Sequence, residues 1–292
     1  MHEPVLLKEV LAFLNLKPSQ RVVDATVGSA GHAREILKQI GPRGRLIAMD
    51  QDPEAIRRAK ENLKAFPQVE FVEENFSHLN EAMLALNLPA LDAVLLDVGI
   101  SSEQLEEASR GFSFLKEGPL DMRMDPTKSV TASDLVNDLS QEELEDLFRT
   151  YGEERWSRRI AQVICRERER KRVETTQELV ALIQKAVPRR FHFGRRHPAM
   201  RVFQALRIKV NEELEALESA LPQALQVLDS GGRMVVISFH SLEDRIVKHT
   251  FRAWAEKDEV KVLTQKVVQP TEEETRRNPR SRSARLRAIE KI

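Results

Sequence analysis

The chain has 292 residues, 41% of them hydrophobic and 32% charged, enough to bury a sizeable core in one large domain or two smaller ones. Forty-six Lys and Arg balance 46 Asp and Glu, so net charge gives no global sign of a nucleic-acid partner and any such signal has to be local. A single Cys165 excludes an internal disulfide and a thiolate metal cluster; with no signal-peptide pattern and no apolar run of about 20 residues, a soluble cytoplasmic protein with no membrane partner is expected.

Residues 3–16, EPVLLKEVLAFLNL, read as an amphipathic helix stopped by Pro18. Four short apolar runs follow: RVVDAT (21–26), RLIAMD (45–50), VEFVEEN (69–75) and LDAVLLDVG (91–99). Helical segments separate them at 32–40, at 53–66 with Pro53 in a favoured first-turn position, and at 79–88. Strands alternating with helices of this length predict a parallel sheet with right-handed crossovers.

The alternation breaks after Ser102. From about Leu105 to Glu213 no strand is legible, only charged helical segments such as 140–170 and 175–187. The sheet signal returns after a helix at 211–228 with GGRMVVISF (231–239), VKVLTQKVV (260–268) and ARLRAIEKI (284–292). The expected organisation is a first domain in two pieces, 1–104 and 211–292, interrupted by a helical insertion at 105–210.

The stretch VVDATVGSAGHA, residues 22–33, carries the first chemistry. It predicts a buried strand ending on Asp24, a turn through Gly28 and Gly31, and a helix starting near His32. Glycine lets a ligand approach the backbone, and free N–H groups at a helix start favour an anionic group. The spacing is not the G-x-G-x-x-G of dinucleotide sites, nor does it end in the Gly-Lys-Ser/Thr of a P-loop. Asp50 closes the next strand, where a carboxylate can accept both ribose hydroxyls of a nucleoside. An adenosine ligand without a pyrophosphate fits, and S-adenosylmethionine meets the requirement, with its carboxylate near Gly31 and His32, its ribose on Asp50 and its adenine between Met49 and Phe76. The plainer reading stands beside it: the glycines only make a tight turn and Asp50 only caps a helix.

Local basic runs supply the nucleic-acid signal. RRFHFGRRHP (189–198) interleaves Phe191 and Phe193 with arginines that include Arg195 and Arg196, and RRNPRSRSARLR (276–287) carries six arginines, among them Arg280 and Arg282. Such patches offer phosphate contacts and stacking surfaces; the alternative for each is a solvated face. RERERKR (166–172) fits an exposed helix end with neighbouring charge pairs. In PLDMRMD (119–125), Arg123 either pins the insertion through an ion pair or faces RNA, where a target base would have to leave its stack. The seven histidines show no H-x-x-x-H pair, so no metal is expected for chemistry.

Ten strings in order, among them HEPVLLKEVL, DATVGSAGHA, AMDQDPEAI, LLDVGISSEQL, PLDMRMD, GEERWSRRIA, RVFQALRIKVNEEL, GGRMVVISFHSLEDRIVK and NPRSRSARLRA, resemble the ribosomal small-subunit RNA cytosine-N4 methyltransferases, the RsmH or MraW family. The resemblance runs from Met1 to the C-terminus. It implies an α/β fold, a Rossmann-like S-adenosylmethionine-dependent methyltransferase sheet with an inserted all-helical domain. It also implies cofactor contacts from Ala30, Gly31, His32, Asp50, Phe76, Asp97 and Gln104, and a decoding-region cytosine of the assembled small ribosomal subunit as substrate. The turn departs from the family's G-x-G-G-H-S at Ala30, whose methyl restricts the backbone.

The exocyclic N4 of cytosine is a poor nucleophile until acceptors hold its hydrogens, and transfer needs nitrogen, methyl carbon and sulfur in line. Ligands of such sheets bind at the carboxyl ends of strands. Asp97, after the fourth strand, is therefore the leading catalytic candidate, and it is equally able to serve the cofactor. His240 in ISFHS is the second, as a substrate-side polar contact or a structural residue. Two other functions fit parts of the sequence: a non-catalytic RNA-binding assembly factor, which leaves the nucleoside turn unexplained, and a nicotinamide-dependent oxidoreductase, which leaves the arginine patches unexplained.

Overall fold

A computed structural model of the chain describes residues 4–88, 90–192 and 197–292. In chain order the elements are α1 (Leu7–Leu14), β1 (Arg21–Asp24), α2 (Gly31–Ile40), β2 (Arg45–Asp50), α3 (Pro53–Asn62), β3 (Val69–Glu73), α4 (Leu79–Ala85), β4 (Leu91–Asp97), α5 (Ser102–Glu106), α6 (Ala132–Asp138), α7 (Gln141–Thr150), α8 (Ser157–Arg168), α9 (Thr176–Ala186), α10 (Ala199–Asn211), α11 (Glu213–Val227), β5 (Leu228–Ser238), α12 (Ser241–Ala255), β6 (Val260–Val262), α13 (Glu272–Arg277) and β7 (Arg285–Lys291). They fall into two compact units, one of residues 1–99 with 214–292 and one of 100–213.

The first unit is built on a seven-stranded sheet of order β3-β2-β1-β4-β5-β7-β6. The first five strands pair in parallel, and β7 lies antiparallel between β5 and β6. Side chains alternate along each strand into two cores. Val22, Leu46, Ala48, Leu95 and Ile237 point one way, onto α1, α2 and α3 residues such as Val10, Ile36 and Ile56. Val23, Ile47, Met49, Leu96 and Val236 point the other way, onto Leu79, Leu217, Leu221, Val247 and Phe251 of α4, α11 and α12. Cover on both faces is why these strands read as continuous apolar runs rather than alternating ones.

Several elements are shorter than their sequence patterns. The helix read over 53–66 stops at Asn62, with Asp52 capping its start through the Glu54 N–H at 3.0 Å. The run at 260–268 forms strand only over Val260–Val262; beyond it, Leu263 and Thr264 still bond Ala288 of β7, and an isolated bridge joins Val268 to Leu286.

The second unit is helical, around a core that includes Phe112, Leu144, Phe148, Ile160, Ile164, Ile183 and Phe203. The helical segment read over 140–170 is two helices, α7 and α8. Gly152 sits at the break because a Cβ there would lie 2.6 Å from the Arg201 carbonyl and 2.7 Å from that of Phe148. No helix among the described residues is long and apolar enough to cross a membrane.

Candidate active site

The parallel register brings Asp24, Asp50 and Asp97 to the carboxyl ends of β1, β2 and β4. One long-range bond ties the turn after β1 to the end of β2, and a local bond orients the carboxylate that accepts it. Gly28, at φ +51°, donates its N–H to Asp50 Oδ2 at 3.0 Å, while Asp50 Oδ1 accepts from the Asp52 N–H at 3.0 Å. Asp50 thus accepts one bond on each oxygen, Oδ2 fixing the turn, and keeps other lone pairs for a ligand. Burial pushes its pKa up to about 6 against those two N–H bonds.

Ala30 caps α2 in the left-handed conformation, φ 65° and ψ 30°. No side chain caps the helix and no acid stands in its first turn, so its first N–H groups are donors for an anionic ligand. His32, in that turn, is buried. Its Nε2 lies 2.9 Å from the Val5 carbonyl; a carbonyl can only accept, so Nε2 carries the proton and Nδ1 is a lone pair. Burial lowers the imidazole pKa to about 4 despite the Val5 bond, leaving it neutral near pH 7. Gly31 lies under the N-terminal segment, where an added Cβ would be 3.2 Å from the Pro4 side chain.

Asp97 faces this turn. Its Oδ2 is 3.6 Å from His32 Nδ1, and its Oδ1 is buried with no hydrogen-bond partner among the described residues. Its main-chain N–H donates to Thr26 Oγ1 at 2.7 Å, tying β4 to the end of β1. Burial drives the Asp97 carboxyl well above the usual carboxylate range, and the charges of Asp24 and Glu243 add to the shift. Asp24 behaves similarly: burial lifts it to about 7 against the Thr26 N–H bond, with the Asp50 charge adding. The sequence reading gave Asp24 no role. The signal was present, since it ends its strand as Asp50 and Asp97 end theirs.

The other expected residues divide. Phe76, half-buried beside Asn75, stands after β3 as an available apolar wall. Met49 is fully inside the sheet core and is not such a wall. Gln104 belongs to the second unit, and its Oε1 accepts from the Ser101 N–H at 2.9 Å in a capping box that starts α5. His240 is the N-cap of α12: its Nδ1 accepts from the Glu243 N–H at 3.4 Å, and its Nε2 lies 3.0 Å from Glu243 Oε1.

Arg123 is held within its own loop. It forms a fork with Asp121 at 2.8 and 2.7 Å and donates to the Pro126 and Lys128 carbonyls at 3.0 and 2.6 Å. Burial of Asp121 opposes its ionisation, but the bonds and charge of Arg123 prevail and lower its pKa. Arg280 and Arg282 sit in the one-turn segment Pro279–Ser283, the latter exposed. Arg195 and Arg196 lie outside the described residues.

This sheet order, with an uncapped helix after β1 and carboxyls closing β1, β2 and β4, defines a Rossmann-like methyltransferase fold. The whole chain, residues 1–292, matches the MraW methylase family, and it belongs to that family. It is 50% identical over 307 residues to the ribosomal RNA small subunit methyltransferase H of Geotalea daltonii, covering 100% of this chain and 98% of that protein. The protein of the same name from Halothermothrix orenii is 44% identical over 306 residues, covering 100% and 98%. The crystal structure of PH0851 shares the fold at a TM-score of 0.51 and 14% identity, over 100% of this chain and 46% of that one. An rRNA methylase from Streptococcus thermophilus gives a TM-score of 0.48 at 10% identity, over 100% and 99%.

Proposed function

We propose that the protein transfers a methyl group from S-adenosylmethionine to the exocyclic N4 of a cytosine in the decoding region of small-subunit ribosomal RNA, in the cytoplasm and on the assembled subunit. The observation that carries the cofactor reading is Asp97 Oδ1, a buried acceptor without a partner among the described residues, beside the uncapped start of α2 and the end of β2. These groups suit the cofactor: N–H groups of α2 for its carboxylate, Asp50 for the ribose hydroxyls, Phe76 for the adenine, and Asp97 for a cationic or N–H group. The relatives' names support small-subunit RNA as the acceptor, and the N4 position follows the family resemblance.

The bound cofactor supplies an electrophilic methyl on a sulfonium. The chain's part is to hold, orient and exclude water. Asp50 and the N–H groups of α2 would hold the nucleoside and carboxylate ends of the cofactor at the carboxyl ends of the strands, and its sulfonium would supply the methyl there. Asp97 and the main-chain carbonyls after it would act as the acceptors that hold the hydrogens of N4. Transfer would take the N4 lone pair into a new N–C bond, with the pair of the C–S bond left on sulfur. The methylated amine is then a strong acid and loses its proton to water without a dedicated base. Neutral His32 keeps its N–H on Val5 and turns its lone pair toward Asp97, 3.6 Å away, so it adds no counter-charge beside that carboxyl.

The test is incubation with labelled S-adenosylmethionine and either small ribosomal subunits or naked small-subunit RNA, followed by nuclease digestion and mass spectrometry. N4-methylcytidine at one position in the subunit is the expected product. Cofactor binding with no transfer to either RNA form would sink the substrate assignment.

A further inference from the structure

Many exposed arginines of this protein face an acid: Arg57 pairs with Glu54, Arg149 with Asp146, Arg172 with Asp138 and Arg252 with Glu256. That is the expected pattern for a chain with equal numbers of acids and bases. The second unit holds an exception. Arg155, Arg158, Arg159, Arg189 and Arg190 are all exposed, and none has a carboxylate partner among the described residues.

Two of these arginines lie on aromatic rings instead. The Arg155 guanidinium is 4.1 Å from the Phe191 ring centre and 5.4 Å from that of Trp156, and the Arg190 guanidinium is 5.0 Å from Phe191. The Trp156 and Phe191 rings are 5.7 Å apart and half-buried on the insertion core. Two cations on one ring repel each other; the nearby Glu154 carboxylate accepts from the Trp156 main-chain N–H at 2.8 Å, and neither Arg155 nor Arg190 pairs with a carboxylate among the described residues. Arg158 and Arg159 deepen the excess, standing in a first turn where the helix dipole disfavours cations. The first turn of α8 has no acid, whereas α7, α9 and α12 each begin with a capping box and an acid. Concentrated positive charge without a carboxylate pair among the described residues favours an external anion. Arginine over an aromatic ring adds a flat face on which a base can stack.

We propose that this surface is an RNA contact of the insertion, holding a single-stranded segment of the substrate with a base stacked on the Arg155–Phe191–Trp156 group and phosphates on the neighbouring arginines. The inference rests on the RNA-methylation reading and adds a place where RNA is gripped outside the cofactor site. A simple polyanion would use the arginines and gain nothing from the rings, so dependence on Phe191 marks single-stranded nucleic acid.

The experiment measures binding of a fluorescein-labelled single-stranded RNA oligonucleotide to the full chain by anisotropy, with inorganic polyphosphate as the comparison ligand. The variants are R155A/R190A, both exposed, and Phe191→Leu, which keeps apolar volume but removes the ring. Unchanged far-UV circular dichroism and an unchanged melting transition confirm that each variant, its insertion included, is folded. Both variants are expected to weaken RNA binding roughly ten-fold, and R155A/R190A to reduce the slope of log affinity against log salt by about 1.4. Polyphosphate binding should fall in R155A/R190A and stay unchanged in Phe191→Leu. Wild-type RNA affinity in both variants overturns the proposal, as does an RNA loss confined to the arginine variant. If wild-type protein binds the oligonucleotide in this ring-dependent way yet methylates no small-subunit RNA, the methylation reading fails and the surface stands. Methylation with variant-insensitive oligonucleotide binding removes the surface alone.

Discussion

His32 Nδ1 lies 3.6 Å from Asp97 Oδ2, while the opposite ring nitrogen is anchored on the Val5 carbonyl at 2.9 Å. The anchoring bond decides the tautomer, so Asp97 meets a lone pair and not a proton, and its carboxyl receives no counter-charge from the imidazole. An acceptor kept in this state is poised for an incoming cation or N–H group.

Asp97→Asn preserves shape and removes a buried ionisable carboxyl. The ligand-free variant should be at least as thermally stable as the wild type, while its affinity for S-adenosylmethionine falls by roughly ten-fold or more, as expected for losing a charged acceptor. Titration calorimetry reads the affinity; an unchanged value would remove Asp97 from the site.

Asp50→Ala strips the acceptor from both Gly28 and Asp52 N–H groups. Cofactor affinity should drop about ten- to a hundred-fold through lost ribose bonds and a loosened turn. Single-stranded RNA affinity should stay near wild type. Loss of RNA binding with intact cofactor affinity contradicts the ribose role.

Asp24 makes ligand-free stability depend on pH. Its folded pKa, about 7, lies above the 3.8 of a free carboxyl. The folded state therefore binds the proton more tightly than the unfolded chain. The resulting stability is complete below about pH 4 and is lost as pH rises through about 7. Asp24→Asn removes this dependence. Its melting temperature should match wild type near pH 4 and exceed it at pH 8, by a free energy on the order of a few kcal/mol. Scanning calorimetry at the two pH values checks it; equal differences at both would mean that the carboxyl is not buried as described.

Ala30 sits in a conformation that glycine adopts freely. The left-handed backbone costs a Cβ-bearing residue about 1 kcal/mol, and burial of its methyl returns about 0.8 kcal/mol. Ala30→Gly should thus shift stability by less than about 0.5 kcal/mol, and Ala30→Val, β-branched at positive φ, should destabilise by more than about 2 kcal/mol. Thermal melts of the two variants separate backbone strain from methyl packing.

Arg123→Ala breaks the fork to Asp121 and two carbonyl bonds at once. A loss of roughly 2–3 kcal/mol is expected in denaturant unfolding, given a group only 23% exposed. Arg123→Lys should recover little, because an ammonium cannot reproduce the fork. RNA affinity of the folded variant should change by less than two-fold; a large loss with unchanged stability would instead favour an RNA contact.

By itself the sequence determined the sheet strands, the glycine turn, the carboxyl at each of three strand ends and the helical stretch between them. Those features are local: apolar runs covered on both faces, breakers and caps act over a few residues. Element ends were less legible, as at Asn62 and the Gly152 break, because contacts such as the Arg201 carbonyl against Gly152 come from elsewhere in the chain. Only the tertiary structure decided that β7 would insert antiparallel between β5 and β6, that Arg123 would turn into its own loop, and that His240 would cap a helix. It alone brought Phe191 beside Arg155 and Trp156 and left their arginine neighbours without a carboxylate pair among the described residues. Desolvation and charge pairing depend on groups distant in sequence and adjacent in space, so these properties exist only once the chain has folded.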